Sequence, residues 1–123
     1  MIFIDTSALV DSLTGERRSG PKLRRFIDAG EPIAVSAVVL YEWLRGPRTD
    51  DELLEQEEIF PRDRSIPFGA AEARRAADLF KRVPRARTKE IDLAIAATAL
   101  VRDASLWTLN RVDFEDIPGL KLV

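Results

Sequence analysis

The apolar run Met1-Ile2-Phe3-Ile4 stops at Asp5, and Thr6-Ser7 lead straight into the helical-looking Ala8-Leu9-Val10. That order is a buried strand feeding a helix through a tight turn, and it recurs along the chain. A helix is predicted over Lys22 to Ala29, with Ser19-Gly20-Pro21 at its start and Gly30 as its stop. Pro32 to Val35 is a second short strand, and Ser36 is placed to cap a helix from Ala37 to Arg45 that Gly46-Pro47 ends. Asp51 to Phe60 reads as an amphipathic helix stopped by Pro61. Ser65 to Phe68 reads as a short edge strand, because Pro67 has no amide hydrogen to give a ladder. Helices over Ala70 to Val83 and Lys89 to Asp103 follow, and Leu106 to Leu109 and Leu120 to Val123 read as strands. Short strands alternating with helices predict an α/β fold, a parallel sheet with helices on both faces. Ligands of such sheets bind beyond the carboxyl ends of the strands, where Asp5 stands.

A chain of 123 residues is long enough for one core and too short for two ordinary domains. It has no cysteine and no histidine. Disulfides, thiolate chemistry, imidazole general bases, Ser-His-Asp triads and imidazole-bound zinc are thereby excluded. Carboxylates, hydroxyls, amides, arginines and lysines remain, a set suited to a hard cation such as Mg²⁺ or Mn²⁺. No stretch approaches the roughly 20 apolar residues of a membrane span, and the first residues lack the basic region of a signal peptide. A soluble, cytoplasmic protein is expected.

Three acids stand on apolar elements, where solvated charge is out of place. Asp5 ends a strand, Glu42 interrupts Val38-Val39-Leu40-Tyr41-Glu42-Trp43-Leu44, and Asp92 precedes Leu93-Ala94-Ile95-Ala96-Ala97. Taken singly, each has an ordinary explanation. Asp5 can cap the next helix, Glu42 can sit on a helix rim, and Asp92 can complement a helix dipole. Taken together they need compensation, since two carboxylates about 5 Å apart repel by roughly 3 kcal/mol at an effective dielectric of 20. A cation or a raised pKa supplies it. Asn110 and Asp113 follow a strand and are candidate fourth members, against a plain turn and a helix cap. Thr6, Ser7 and Thr108 are candidate hydroxyl donors to the acids or to a phosphate.

The net charge of −2 hides segregation along the chain. Lys81 to Lys89 holds five basic residues and no acid, and Arg85, Arg87 and Lys89 are its candidate phosphate contacts, against a solvated turn. Trp43 and Trp107 are read as core rather than as base-stacking platforms.

The blocks Ile4-Asp5-Thr6-Ser7-Ala8-Leu9, Ser36 to Gly46, Asp92 to Ala99 and Trp107 to Phe114 with Ile117-Pro118-Gly119-Leu120 resemble the PIN-domain ribonucleases. Within them the chain looks most like the VapC-type toxins of bacterial toxin–antitoxin pairs. The resemblance implies a three-layer α/β/α sandwich over the whole chain, 1–123, and Mg²⁺- or Mn²⁺-dependent cleavage of RNA. It also implies a small antitoxin partner and a homodimer, for which the apolar run Val38 to Leu44 leaves surplus surface. By position, the family's acids match Asp5, Glu42 and Asp92. The last block departs from the pattern: many members have Asp where Asn110 stands, and others carry it later, at Asp113. The site implied is Asp5, Asp92, Glu42 and Asp113 or Asn110 around a metal that activates water for attack on a phosphodiester.

Two other readings compete. Receiver domains and aspartyl phosphatases also place an Asp after a first parallel strand, but Ser7 stands where the phosphatases want a second Asp. No strand end offers a receiver's phospho-acceptor. The other rival is a PIN-like module that binds RNA or protein and cleaves nothing.

Overall fold

The computed structural model describes residues 1–123. Strand β1 (Ile2–Ile4) is buried along its length, and the chain turns at Asp5 into helix α1 (Thr6–Leu13). Helix α2 (Gly20–Asp28) takes Pro21 in its first turn, where a missing amide hydrogen costs nothing. It ends at Ala29 and Gly30, whose φ of +72° suits glycine alone without strain. Then come β2 (Ile33–Ala34), α3 (Ala37–Arg45) and α4 (Asp50–Ile59), and a 3₁₀ turn over Arg62–Arg64. Helix α5 (Ala70–Arg82), a second 3₁₀ turn (Ala86–Thr88), α6 (Glu90–Val101), β3 (Ser105–Trp107), α7 (Arg111–Phe114) and β4 (Lys121–Leu122) complete the chain.

The strands are all parallel, in the order β2-β1-β3-β4. Ile2 pairs with both Ile33 and Ser105, Ile4 with Trp107, and Leu106 with Leu122. From β1 the chain moves to one side, to β2, and then crosses to β3 on the other. Right-handed crossovers running in opposite directions put helices on both faces, so the fold is a three-layer α/β/α sandwich. The reversal at β1 opens a crevice between the ends of β1 and β3. Asp5 and Thr108 are the residues that follow those two strands.

One cluster of 25 buried apolar residues forms the core. Trp43 and Trp107 are 0% and 1% exposed, so both are core and neither offers a ring to a base. Glu72 is buried as well, between α5 and α6, where Arg102 pairs with it at 3.1 Å. A hydrogen bond from its own backbone amide is the chief reason its carboxyl stays below the usual range, and Arg102 reinforces this against the cost of burial.

Several boundaries differ from the sequence reading for local reasons. Ser36 does cap α3, accepting from the Val39 amide at 3.1 Å. Ser19 does not cap α2; its hydroxyl donates to Asp11 Oδ2 at 2.6 Å. The strand expected over Ser65 to Phe68 shrinks to one bridge, Ser36 with Ile66. Ile66 bonds Val35 O and Ala37 N, and Pro67 has no amide to carry the ladder further. Strand β3 stops at Trp107, beyond which the Leu109 and Asn110 amides donate to the Ser7 and Thr108 hydroxyls rather than to a neighbouring strand. No helix is long and apolar enough to cross a membrane.

Candidate active site

Asp5 occupies the N-cap position of α1 with extended backbone angles, yet its side chain caps nothing. Instead Oδ2 accepts hydrogen bonds from Ser7 Oγ at 2.9 Å and Thr108 Oγ1 at 2.7 Å. Capping, the ordinary explanation for this residue, is thereby set aside. Ser7 Oγ in turn accepts from the Leu109 amide, and Thr108 Oγ1 from the Asn110 amide, both at 3.0 Å. These bonds sew the end of β3 to the end of β1. They also fix the carboxylate plane and leave Oδ1 without a protein donor.

Glu42 reaches the same place from the middle of α3. Thr6 Oγ1 donates to its Oε1 at 2.6 Å, and Arg45, one turn on, approaches Oε2 at 3.4 Å. Arg45 also stacks on the Tyr41 ring, 5.0 Å from its centre. Asp92 lies in the first turn of α6, half-buried. Its pKa is pushed up to about 6, first by burial and then by the charges of Asp5, Asp113 and Glu42. Lys89 works in the other direction, and it is shared with Asp116 at 3.1 Å.

Asp5, Glu42, Asp92 and Asn110 line one open cleft of about 600 Å³. Thr6 and Ser7 line it too. Asp113 lies outside that lining but close enough to act on Asp92 through its charge. Arg85 and Arg87 are exposed on the turn before α6. Beyond the residues expected, the cleft extends along α1 to Asp11, Glu16 and Arg18. Asp11 falls on the side of α1 that carries Ser7, a helical spacing readable in the sequence, whereas Glu16 and Arg18 lie in the turn beyond α1 and carry no such signal.

The donors suit a hard cation. All are oxygens, one oxygen of Asp5 is unclaimed, and Asp92 carries the electrostatic load of three like charges. No three carboxylates close around one point. Mg²⁺ does not require them to, since it commonly takes one or two carboxylates and keeps waters and substrate phosphate as its other ligands.

Comparison with known proteins agrees with this architecture. The family model described as PIN domain matches residues 2–120, and the chain belongs to the PIN-domain family. It is similar to Ribonuclease VapC19 of Mycobacterium tuberculosis, 34% identical over 128 residues that cover 98% of each chain. A toxin–antitoxin complex from Klebsiella pneumoniae superposes with a TM-score of 0.75 at 25% identity, over 100% of this chain and 96% of that one. VapBC2 from Rickettsia felis, bound to a DNA fragment from its promoter, gives 0.75 at 23% identity, over 100% and 98%, a likeness of fold.

Proposed function

We propose that this protein is a metal-dependent endoribonuclease, the toxin of a toxin–antitoxin pair of the VapC type, acting in the cytoplasm. The observation that carries the reading is the cleft at the β1/β3 switch point, which Asp5, Glu42 and Asp92 all line in a chain without histidine or cysteine. Similarity to a ribonuclease along nearly the whole chain supports the reaction class.

Asp5 and Asp92 would hold Mg²⁺ or Mn²⁺, with Glu42 and either Asp113 or Asn110 completing the set directly or through water. A divalent cation there supplies a lowered pKa for water and charge stabilisation on the phosphate oxygens. The chain's own contribution is positional. Ser7 and Thr108 hold Asp5 Oδ2 and leave Oδ1 free, and Thr6, the residue after Asp5, holds Glu42. Arg85, Arg87 and Lys89 contact RNA phosphates from the turn ahead of α6.

Tyr41 and Leu44, 55% and 47% exposed on the helix that carries Glu42, provide apolar surface for a homodimer. A small antitoxin would cover the acids, with an Arg or Lys side chain taking the position of the cation. One observation favours the non-cleaving alternative: Asn110 lines the cleft while Asp113 does not. If Asn110 has weakened the metal site, the chain binds RNA and leaves it whole.

A single experiment separates the two. The chain is purified with and without the neighbouring small open reading frame and incubated with RNA in Mn²⁺ and in EDTA. Cleavage in Mn²⁺ that disappears in EDTA, in the Asp5→Asn variant and with the partner present is the expected result. Full activity in a folded Asp5→Asn variant would sink the assignment, and binding without cleavage decides for the alternative. Transfer of phosphate from a small phosphodonor to Asp5 would restore the phosphotransfer reading.

A further inference from the structure

The cleft does not end at the carboxylates. It continues along one side of α1, past Val10 and Thr14, to Glu16 and Arg18. At about 1.5 Å per residue, the eight residues of α1 carry it roughly 12 Å beyond Asp5. Asp11 on this wall is occupied, receiving the Ser19 hydroxyl at 2.6 Å. That bond ties α1 to the start of α2, and so fixes where the cations on either side of Ser19 stand.

Those cations divide sharply. Arg17 is held by Glu55 at 2.7 Å, and Arg24 lines a separate groove with Arg17 and Glu55. Arg18 lines the cleft itself. Its one carboxylate partner is Glu16 at 2.9 Å, and with side chains 75% and 76% exposed the pair contributes little. Lys22 and Arg25, three residues apart on α2, share the side that carries Phe26, and Arg18 lies in the turn just before that helix. Lys22 Nζ rests 5.9 Å from the Phe26 ring centre and 5.3 Å from that of Trp107. No carboxylate lies within ion-pair distance of Lys22 or Arg25.

We propose that Arg18, Lys22 and Arg25 form a phosphate track for single-stranded RNA, holding the flank that leaves the carboxylate cleft along α1. The inference rests on the ribonuclease reading above and extends it from the scissile phosphate to the neighbouring nucleotides. An acidic floor repels a polyanion, so binding needs cations beside it; Arg18 lines the cleft, and Lys22 and Arg25 carry the positive charge on along α2, the helix that begins two residues later. The opposite flank falls to Arg85 and Arg87.

The track is tested with labelled oligouridine and the full chain in an Asp5→Asn background, so that RNA stays intact while affinity is measured against salt. Each phosphate contact on a single strand contributes about 0.7 to the slope of log K on log salt. Combining Arg18→Ala, Lys22→Ala and Arg25→Ala should flatten the slope by about 2, three such contacts, while Arg24→Ala leaves it unchanged. If the triple variant does not fold, Arg18→Gln and Arg25→Gln should each remove about 0.7. An unchanged slope, an equal effect of Arg24→Ala, or equal competition by poly-glutamate would overturn the track, the last pointing to an acidic peptide. Cleavage by the unsubstituted chain in Mn²⁺ is scored in parallel. Cleavage with an unchanged slope removes the track and leaves the ribonuclease reading standing. A flattened slope without cleavage does the reverse, and no RNA binding at all removes both.

Discussion

Asp5 and Asp92 line one cleft but are held in opposite ways. Asp5, 4% exposed, receives two hydroxyl hydrogen bonds, and its geometry is fixed by the junction of β1 and β3. Asp92 receives none from any side chain and is loaded by burial and by the charges of Asp5, Asp113 and Glu42, so its pKa climbs to about 6. One carboxylate is oriented before any ligand arrives. The other stores repulsion that a cation relieves. A metal site built from such a pair gains its precision from the first and much of its binding drive from the second.

The sharpest way to break this comparison is to remove what orients Asp5. Thr108→Val deletes one of the two donors to a buried carboxylate, and should lower stability by about 1 to 3 kcal/mol in urea unfolding. Mn²⁺-dependent cleavage should fall with it, and Thr108→Ser should restore both. A Thr108→Val variant as active and as stable as the original would mean that Asp5 needs no such support. The next largest effect concerns Asp92. With its pKa raised from 3.8 to about 6, the folded chain holds that proton more tightly than the unfolded chain. Folding stability is therefore lost as pH rises through that window, and an Asn side chain cannot ionise. Melting in EDTA should show Asp92→Asn more stable than the original at pH 8 and no better at pH 3. A gain of the same size at both would point to packing rather than charge.

Smaller effects probe the periphery of the site. Arg87→Ala should flatten the salt dependence of RNA binding by about 0.7, and an unchanged slope would make it a solvated turn residue. Farthest from the chemistry, Thr49→Ala breaks the reciprocal pair in which Thr49 and Glu52 cap α4, at a cost of about 1 kcal/mol. Cleavage should be unaffected, which separates a general loss of stability from damage to the cleft.

The acids were legible in the sequence because charge on an apolar strand or helix is costly, and Asp5, Glu42 and Asp92 all violate the local pattern. The parallel sheet was legible on a separate ground, the alternation of short strands with helices. The acids' hydroxyl donors Thr6, Ser7 and Thr108 were legible as candidates, but which acid each one holds was not. Thr108 and Asp5 are 103 residues apart, and nothing local to either marks the bond. Asp11 and Arg18 were missed because each looks like an ordinary surface residue until the cleft runs past it. The overestimated strand at Ser65 to Phe68 reflects a balance of apolar composition against one proline, which only the register with Val35 and Ala37 resolves. The helix over Arg111–Phe114, four residues long, lies in a stretch where the sequence offered only a turn at Asn110 and a helix cap at Asp113.

On the proposed reading, the bond from Thr108 to Asp5 also bears on when a newly made chain can become active. The carboxylate leaves the ribosome near the start of synthesis, and its hydroxyl donor follows 103 residues later. At translation speeds of about 5 to 20 residues per second, that is roughly 5 to 20 seconds in which the first acid is present but not yet held in place. Incomplete chains ending before Thr108 would lack β3 and an oriented Asp5. Toxicity would then be a property of finished molecules, and a partner made nearby would have that interval in which to be ready.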